Sequence, residues 1–252
     1  MAENLLEMTS EESKSPVAKY FEEGTALPRP EAVAAYSQGP IDPKLALSVE
    51  EAFRFAEPDY RHTLGYCVME DGTGYCCMTT PMPEVTKEMV DWWAWWKNEE
   101  PLRYKTWYPG SHVATNALWI SEDVGWGVQD IIHTARFNEK TFGADTTPLK
   151  NNPYFLAAFG GNGVNITRGT PIGTPPDTMC LLHQLYALPT GGLEYRSLFW
   201  LGVQNIGGKA VPFLFNGPIP LEQTRLMCMH AAIEMATLAS KLPRLYREFG
   251  NL

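Results

Sequence analysis

An imidazole and a carboxylate lie four residues apart in the apolar C-terminal stretch RLMCMHAAIEMATLAS, residues 225–240. Between Arg225 and Lys241, Glu234 is the only charged residue, and His230 is the other titratable group of note. On a helix, these two side chains share one face, one turn apart. A buried carboxylate needs a partner or must stay protonated. The pair is therefore either a hydrogen-bonded core pair or two ligands of a zinc-like ion, and its spacing leaves both interpretations open.

A third candidate ligand, His112, follows the residues YKTWYPGS and opens a predicted strand over 112–121. A solitary histidine is more often structural, so its assignment as a ligand depends on an acidic partner. Glu122 and Asp123 follow the far end of the same strand, but ten extended residues span about 30 Å. These two carboxylates could share an ion with His112 only if the chain bent sharply.

The next predicted strand, 128–137, offers a better-placed acid. If the two strands pair as a hairpin, His112 faces the neighbourhood of Phe137, and Glu139 lies two residues further on the same side. Glu139 is therefore the preferred fourth ligand, and Asp130 is retained as an alternative. The other interpretation of Glu139 is a solvated acid in a turn.

Other catalytic signals are weak. His183 lies between apolar residues in CLLHQLY, so we expect it to point inward. The sequence contains neither a G-x-S-x-G nucleophile turn nor an H-E-x-x-H zinc motif. The glycine-rich residues 159–165 are a poor dinucleotide signal, because no helix is predicted after them. Cys76 and Cys77 are adjacent and cannot chelate a metal as a C-x-x-C pair would.

The elements that would position these residues begin with a hairpin over 62–83 that turns at EDGTG. A helix over 86–100 follows, with Thr86 as its N-cap, and Pro101 is predicted to end it. Short strands separated by Gly, Pro, Asn and Asp are then predicted over 112–121, 128–137, 153–161, 179–189, 194–204 and 210–216. Their hairpin-like spacing favours an antiparallel sheet.

The last predicted element is a long helix over 220–248, with Pro220 near its first position and Pro243 predicted to kink it or begin a final turn. The order of elements indicates the α+β class. Its simplest member is the helix-grip (Bet v 1-like) fold, in which a curved antiparallel sheet wraps around a long C-terminal helix and leaves a cavity between them. Residues 1–60 are predicted to form an N-terminal arm or small subdomain that contacts a partner subunit, and residues 61–252 the catalytic domain.

Composition narrows the class of protein. The net charge of −9, with scattered Lys and Arg, argues against nucleic-acid binding. No apolar run is long enough for a membrane span, and the acidic start of the chain predicts no secretory signal. The odd number of cysteines has no framework spacing and predicts reduced, mostly buried thiols in a cytoplasmic protein. These five cysteines are Cys67, Cys76, Cys77, Cys180 and Cys228.

Several motifs occur together in a characteristic order. They are MPEVTKEMVDWWAWW (82–96), LRYKTWYPGSH (102–112), EYRSLFWLG (194–202) and the late H-x-x-x-E pair. In this combination the chain resembles the 2,4-diacetylphloroglucinol hydrolase and phloretin hydrolase family. The resemblance implies a zinc-dependent hydrolase that cleaves the carbon–carbon bond between an acyl group and a phloroglucinol-type ring. It also implies a helix-grip catalytic domain, an aromatic ketone substrate, and a homodimer formed through the N-terminal part.

The resemblance also implies roles for individual residues. The family's zinc site of two histidines and two glutamates maps onto His112, His230, Glu234 and, by spacing, Glu139. Tyr104, His183 and, more loosely, Asn116 match residues that contact the substrate. A further family tyrosine near SLFWLG has no counterpart there, since Leu198, Phe199 and Trp200 occupy that stretch. The alternative to the zinc enzyme is a metal-free helix-grip ligand-binding protein or a polyketide cyclase-like enzyme.

Overall fold

The computed structural model describes residues 6–52, 54, 63–97, 99–112, 115–121, 125–130, 133–136, 155–161, 179–206, 209–214 and 217–251.

The N-terminal segment folds into short helical pieces. Helices α1 (Ala18–Glu22) and α2 (Pro30–Ser37) are accompanied by 3-10 turns at Glu12–Lys14 and Pro43–Leu45. Pro30 is the first residue of α2 and Pro43 the first residue of the second 3-10 turn, where the missing N–H costs no helical hydrogen bond.

The predicted hairpin is confirmed as β1 (Gly65–Val68) and β2 (Gly74–Met82), which pair antiparallel. The Asp71 carboxylate accepts hydrogen bonds from the backbone N–H and the hydroxyl of Thr73, at 3.0 and 2.6 Å. Gly72 takes a φ of +85°, which a residue with a side chain rarely adopts. The turn chemistry of EDGTG therefore sets the register of the two strands.

The helix predicted over 86–100 is confirmed in part, and a second helix that was not predicted follows it. Helix α3 (Lys87–Trp96) begins after Thr86, whose hydroxyl accepts from the Met89 N–H at 3.4 Å, in agreement with the predicted N-cap. Pro101 does not end this helix but opens α4 (Pro101–Trp107). Its fixed φ suits the first position of a helix, which the prediction over 86–100 did not take into account.

The main sheet is antiparallel throughout its described strands. The remaining strands are β3 (Thr115–Ser121), β4 (Gly125–Asp130), β5 (His133–Arg136), β6 (Phe155–Gly161), β7 (Met179–Ala187), β8 (Leu193–Leu201), β9 (Val203–Ile206) and β10 (Lys209–Pro212). Eight of the strands form one sheet in the order β1-β2-β8-β7-β6-β5-β4-β3, and β9 pairs with β10 in a separate ribbon. The chain thus meanders from β3 to β8, and the first hairpin joins the sheet beside β8.

One predicted pairing is wrong. The single strand expected over 128–137 is instead parts of two strands, β4 and β5, and Thr115 of β3 pairs with Asp130 at the end of β4. The chain has turned back by His133, which pairs with Gln129 of β4, so β3 pairs with β4 and not with 133–136. The stretch VQDIIHTARF contains no Gly, Pro or Asn to mark a turn, which is why the sequence predicted one strand. Glu139 lies outside the described residues.

The long C-terminal helix, α5 (Leu221–Phe249), packs across β1, β2, α3 and α4. It begins directly after Pro220 and continues through Pro243 without starting a separate final turn. Its buried face includes Leu238, Leu242 and Leu245, which join a core that contains the N-terminal residues Val17, Ala18 and Tyr20 and the α3 residues Val90, Trp93 and Trp96. The helix therefore connects the sheet to the N-terminal segment.

A disulfide joins β2 to α5, between Cys76 and Cys228. The expectation that all cysteines are reduced is wrong for these two, whereas Cys67 and Cys77 are free and buried. The bonded pair is separated by 152 residues, and only the packing of α5 on β2 brings the two together. No helix in the described part of the chain is long and apolar enough to cross a membrane.

Candidate metal centre

Three side chains converge where α5 meets the loop after α4. His112 Nε2 lies 3.3 Å from Glu234 Oε2, and His230 Nε2 lies 3.4 Å from the same oxygen. Ligand atoms of the three residues all lie within 4.8 Å of one another. Two atoms bound to one tetrahedral zinc ion at about 2.1 Å are separated by about 3.4 Å. Both histidine–carboxylate distances therefore match the spacing of two ligands on a single ion, and two imidazoles with one carboxylate are donors that zinc prefers.

The two imidazoles stabilise the negative charge of the buried Glu234 carboxylate. Burial would raise the pKa of Glu234, but hydrogen bonds from His112 and His230, together with their charge, lower it to about 2. The carboxylate is therefore ionised at neutral pH and available either to the two imidazoles or to a cation. This geometry is compatible with both interpretations of the H-x-x-x-E pair, the hydrogen-bonded core pair and the two metal ligands. His112 is a third member of the cluster.

The loop after α4 brings His112 onto α5. Tyr108 ends the helix, and its carbonyl oxygen accepts from the backbone N–H groups of Ser111 and His112, both at 3.0 Å. Gly110 takes a φ of +81°, which permits the chain to reverse within this turn. The Ser111 hydroxyl lies 3.3 Å from His230 Nδ1, so the loop also holds the far side of the second imidazole. With Nδ1 engaged, Nε2 of His230 faces Glu234.

Aromatic rings enclose both histidines. The Tyr104 ring stacks on His112, with centroids 4.3 Å apart and planes inclined by 7°. Trp107 meets His112 edge-on at 5.0 Å, and Tyr108 stacks on His230 at 4.7 Å. The Trp107 indole N–H also donates to the backbone carbonyl of Glu234 at 2.8 Å. These contacts pack both imidazoles against aromatic rings of α4 and of the loop that follows it.

A second group of polar side chains comes from the sheet. His183 on β7 pairs in register with Ser197 on β8, and its Nδ1 lies 2.8 Å from the Ser197 hydroxyl. Tyr195 and Phe199, two residues to either side on β8, contact the His183 ring edge-on. Burial lowers the pKa of His183 to about 4 and raises that of Tyr195, and the negative charge of Glu234 raises both. This histidine and phenol are therefore close enough to Glu234 to be influenced by its charge.

The structure brings together His112, His230 and Glu234, with Tyr104 stacked on His112, and places His183 on β7 beside Ser197. Asn116 lies on β3 opposite Gln129, and Asp130 lies on β4. Their side chains are not described. Glu139, Glu122 and Asp123 are outside the described residues, so the fourth ligand stays a prediction.

Sequence reasoning missed several residues of the site. Ser111, Trp107 and Tyr108 lie within the quoted YKTWYPGSH motif, and their closeness to His112 could have suggested a shared role. Tyr195 and Ser197 lie in the EYRSLFWLG motif and share one face of a strand with Phe199 by simple alternation. What the sequence could not supply was the register that places Ser197 beside His183.

Comparison with known proteins identifies the family. A family model described as "DAPG hydrolase PhiG domain" matches residues 47–122 and 114–247. The chain is 32% identical to phloretin hydrolase of Eubacterium ramulus, over 94% of this chain and 92% of that protein. It is 26% identical to 2,4-diacetylphloroglucinol hydrolases of a Pseudomonas species and of Pseudomonas protegens, over 94% of this chain and 89% and 85% of those proteins. The chain therefore belongs to the DAPG hydrolase family.

Proposed function

We propose that this chain is a zinc-dependent hydrolase that cleaves the carbon–carbon bond between an acyl group and a phloroglucinol-type ring. The observation that carries the proposal is the convergence of His112, His230 and Glu234, in which each imidazole lies at ligand–ligand distance from the carboxylate and all three donors lie within 4.8 Å. The names of the relatives, phloretin hydrolase and 2,4-diacetylphloroglucinol hydrolase, supply the substrate class.

The finer parts of the proposal follow the sequence predictions. Glu139 completes the zinc site as the fourth ligand, and Tyr104, His183 and Asn116 contact the substrate. Residues 61–252 form a catalytic domain of the helix-grip (Bet v 1-like) kind, and residues 1–60 contribute to a homodimer. A cytoplasmic location is part of the same proposal, although the Cys76–Cys228 disulfide removes the argument from reduced cysteines. The antiparallel sheet with α5 packed against it supports the fold assignment.

The chemistry adds water across an aryl–acyl bond. A zinc ion in this site would polarise the acyl carbonyl and supply a nucleophilic water near neutral pH. The acyl carbon gains the hydroxyl group and leaves as a carboxylic acid, and the ring carbon gains a proton. An aromatic carbon is a poor leaving group unless ring hydroxyls at the ortho and para positions let it accept that proton in a keto form. The substrate's own hydroxyl groups are therefore part of the mechanism.

His183 is suited to move the proton. Since its pKa is lowered to about 4 by burial, the ring is neutral at pH 7. Ser197 occupies Nδ1, so Nε2 of this neutral ring could take up the proton that the attacking water gives up and return it to the ring carbon. Burial raises the pKa of Tyr195, so its phenol stays protonated and can donate a hydrogen bond to a ring oxygen. Tyr104, held flat against His112, presents a second phenol near the cluster.

A substrate panel tests the reaction. The full chain should release a carboxylic acid from acylphloroglucinols but not from aryl ketones that lack the ortho and para hydroxyls. Removal of zinc with a chelator should abolish turnover, and added zinc should restore it. Cleavage of acylphloroglucinols at full rate by the stripped protein would refute the proposal.

The second candidate is a metal-free ligand-binding protein or polyketide cyclase-like enzyme. The observation that favours it is that Glu234 already accepts hydrogen bonds from both imidazoles. The buried carboxylate therefore has partners without a metal ion. Purified protein that carries no metal and binds acylphloroglucinols without turnover would support this second candidate.

A further inference from the structure

A buried lysine on α5 joins three separate segments of the chain. Lys241 is only 4% exposed. Its Nζ donates to the backbone carbonyl oxygens of Tyr20 and Gly24, both at 2.6 Å, and of Thr106 at 2.9 Å. An ammonium group has three donors, so this set of carbonyls satisfies it completely. Burial of a cation is costly unless such bonds are made, and the residue therefore depends on the positions of all three carbonyls.

The third carbonyl links Lys241 to the metal centre. Thr106 precedes Trp107, whose indole donates to the backbone carbonyl of Glu234 and whose ring meets His112 edge-on. Two adjacent α4 residues are thus bonded to α5, one near Glu234 and one two turns further along. Helix α5 carries His230 and Glu234, and α4 leads directly into the turn that presents His112. The distance between the ligands depends on how these two helices are held together.

The N-terminal segment supports the same arrangement. Lys105, the residue before Thr106, is also buried, and it bonds to the Glu7 carbonyl and to both oxygens of Glu12 at 3.0 Å. The end of α4 is therefore fixed to the N-terminal segment through Lys105 and to α5 through Lys241.

We propose that Lys241 is a positioning residue of the metal centre: by holding the Thr106 carbonyl together with the carbonyls of Tyr20 and Gly24, it keeps His112 at ligand distance from His230 and Glu234. The inference rests on the proposed function, because it concerns how tightly the site holds zinc. It assigns a role in that site to a residue that contacts neither the ion nor the substrate.

Zinc affinity and the spectrum of the cobalt-substituted protein test this role. The variant Lys241→Met keeps an apolar side chain of similar length but removes the donors, and Lys241→Gln keeps two donors on a shorter side chain. The matched control is Thr237→Ala, one turn earlier on α5. Thr237 is buried and accepts from the Ala26 N–H at 3.0 Å, so the control breaks a contact with the N-terminal segment but none with α4.

We expect Lys241→Met to weaken zinc binding by about 10-fold or more, the size of effect seen when residues that orient metal ligands are removed. The visible absorption of bound cobalt should change, because the position of His112 changes. Lys241→Gln should lie between Lys241→Met and the unmodified protein, and it remains informative if Lys241→Met does not fold. Thr237→Ala should alter neither measurement.

The outcomes separate this inference from the proposed function. If the unmodified full chain binds no zinc, both are overturned. If it binds zinc and the Lys241 variants bind it equally well with an unchanged cobalt spectrum, the inference alone is overturned. It is also overturned if Thr237→Ala weakens zinc binding as much as Lys241→Met does, because Lys241 would then act only through general stability.

Discussion

Acidification should destabilise this protein through His183. The pKa of this histidine is lowered by burial from about 6.5 to about 4, so the folded protein keeps it neutral where the unfolded chain protonates it. The stabilising contribution is fully present above pH 6.5 and is lost as the pH falls from 6.5 to 4, because the unfolded state binds the extra proton throughout that window. A shift of about 2.5 pKa units corresponds to about 3 kcal/mol.

Denaturant unfolding between pH 7.5 and pH 4 measures this effect. The free energy of unfolding of His183→Gln should fall by about 3 kcal/mol less across the window than that of the unmodified protein. Ser197→Ala serves as the control, because it removes the hydroxyl at Nδ1 but keeps the imidazole, and it should retain the steeper fall. Equal pH dependence of the unmodified protein and His183→Gln would refute the argument that His183 is held neutral, and with it the proposed role in proton transfer.

Three further predictions concern Ser111, the disulfide and Tyr195. Ser111→Ala should weaken zinc binding by about 10-fold in a chelator competition, because the Ser111 hydroxyl holds His230 Nδ1. Ser111→Thr keeps a hydroxyl and should largely restore the affinity. Unchanged affinity in Ser111→Ala would contradict this prediction. Loss of the Cys76–Cys228 disulfide should lower the free energy of unfolding by about 2–5 kcal/mol, because the bond closes a loop of some 150 residues. Identical unfolding curves with and without reductant would contradict this prediction. Tyr195→Phe should reduce kcat more than it raises KM if its phenol donates to the ring in the transition state, whereas a change in KM alone would show uniform binding.

Local signals in the sequence predicted the parts of the fold that local chemistry determines. The EDGTG turn, the Thr86 cap and the apolar face of α5 all follow from nearest neighbours along the chain. The spacing of His230 and Glu234 placed both on one helical face because four residues make about one turn.

Long-range packing determined what the sequence could not supply. Cys76 and Cys228 meet only because α5 lies across β2. The bond from His183 to Ser197 depends on the register of two strands, and no Gly, Pro or Asn marks the turn between β4 and β5. The role of Lys241 depends on three carbonyls from two other segments, and no pattern around residue 241 signals them.

The proposed zinc centre is tested most directly by a zinc titration of the metal-stripped full chain, with turnover of an acylphloroglucinol as the readout. Activity should rise linearly and reach its maximum at one zinc ion per chain. The variant His230→Ala should bind zinc far more weakly and stay inactive at the same zinc concentration. Full activity before any zinc is added, or an active His230→Ala, would contradict the claim that His112, His230 and Glu234 form the metal centre of a hydrolase.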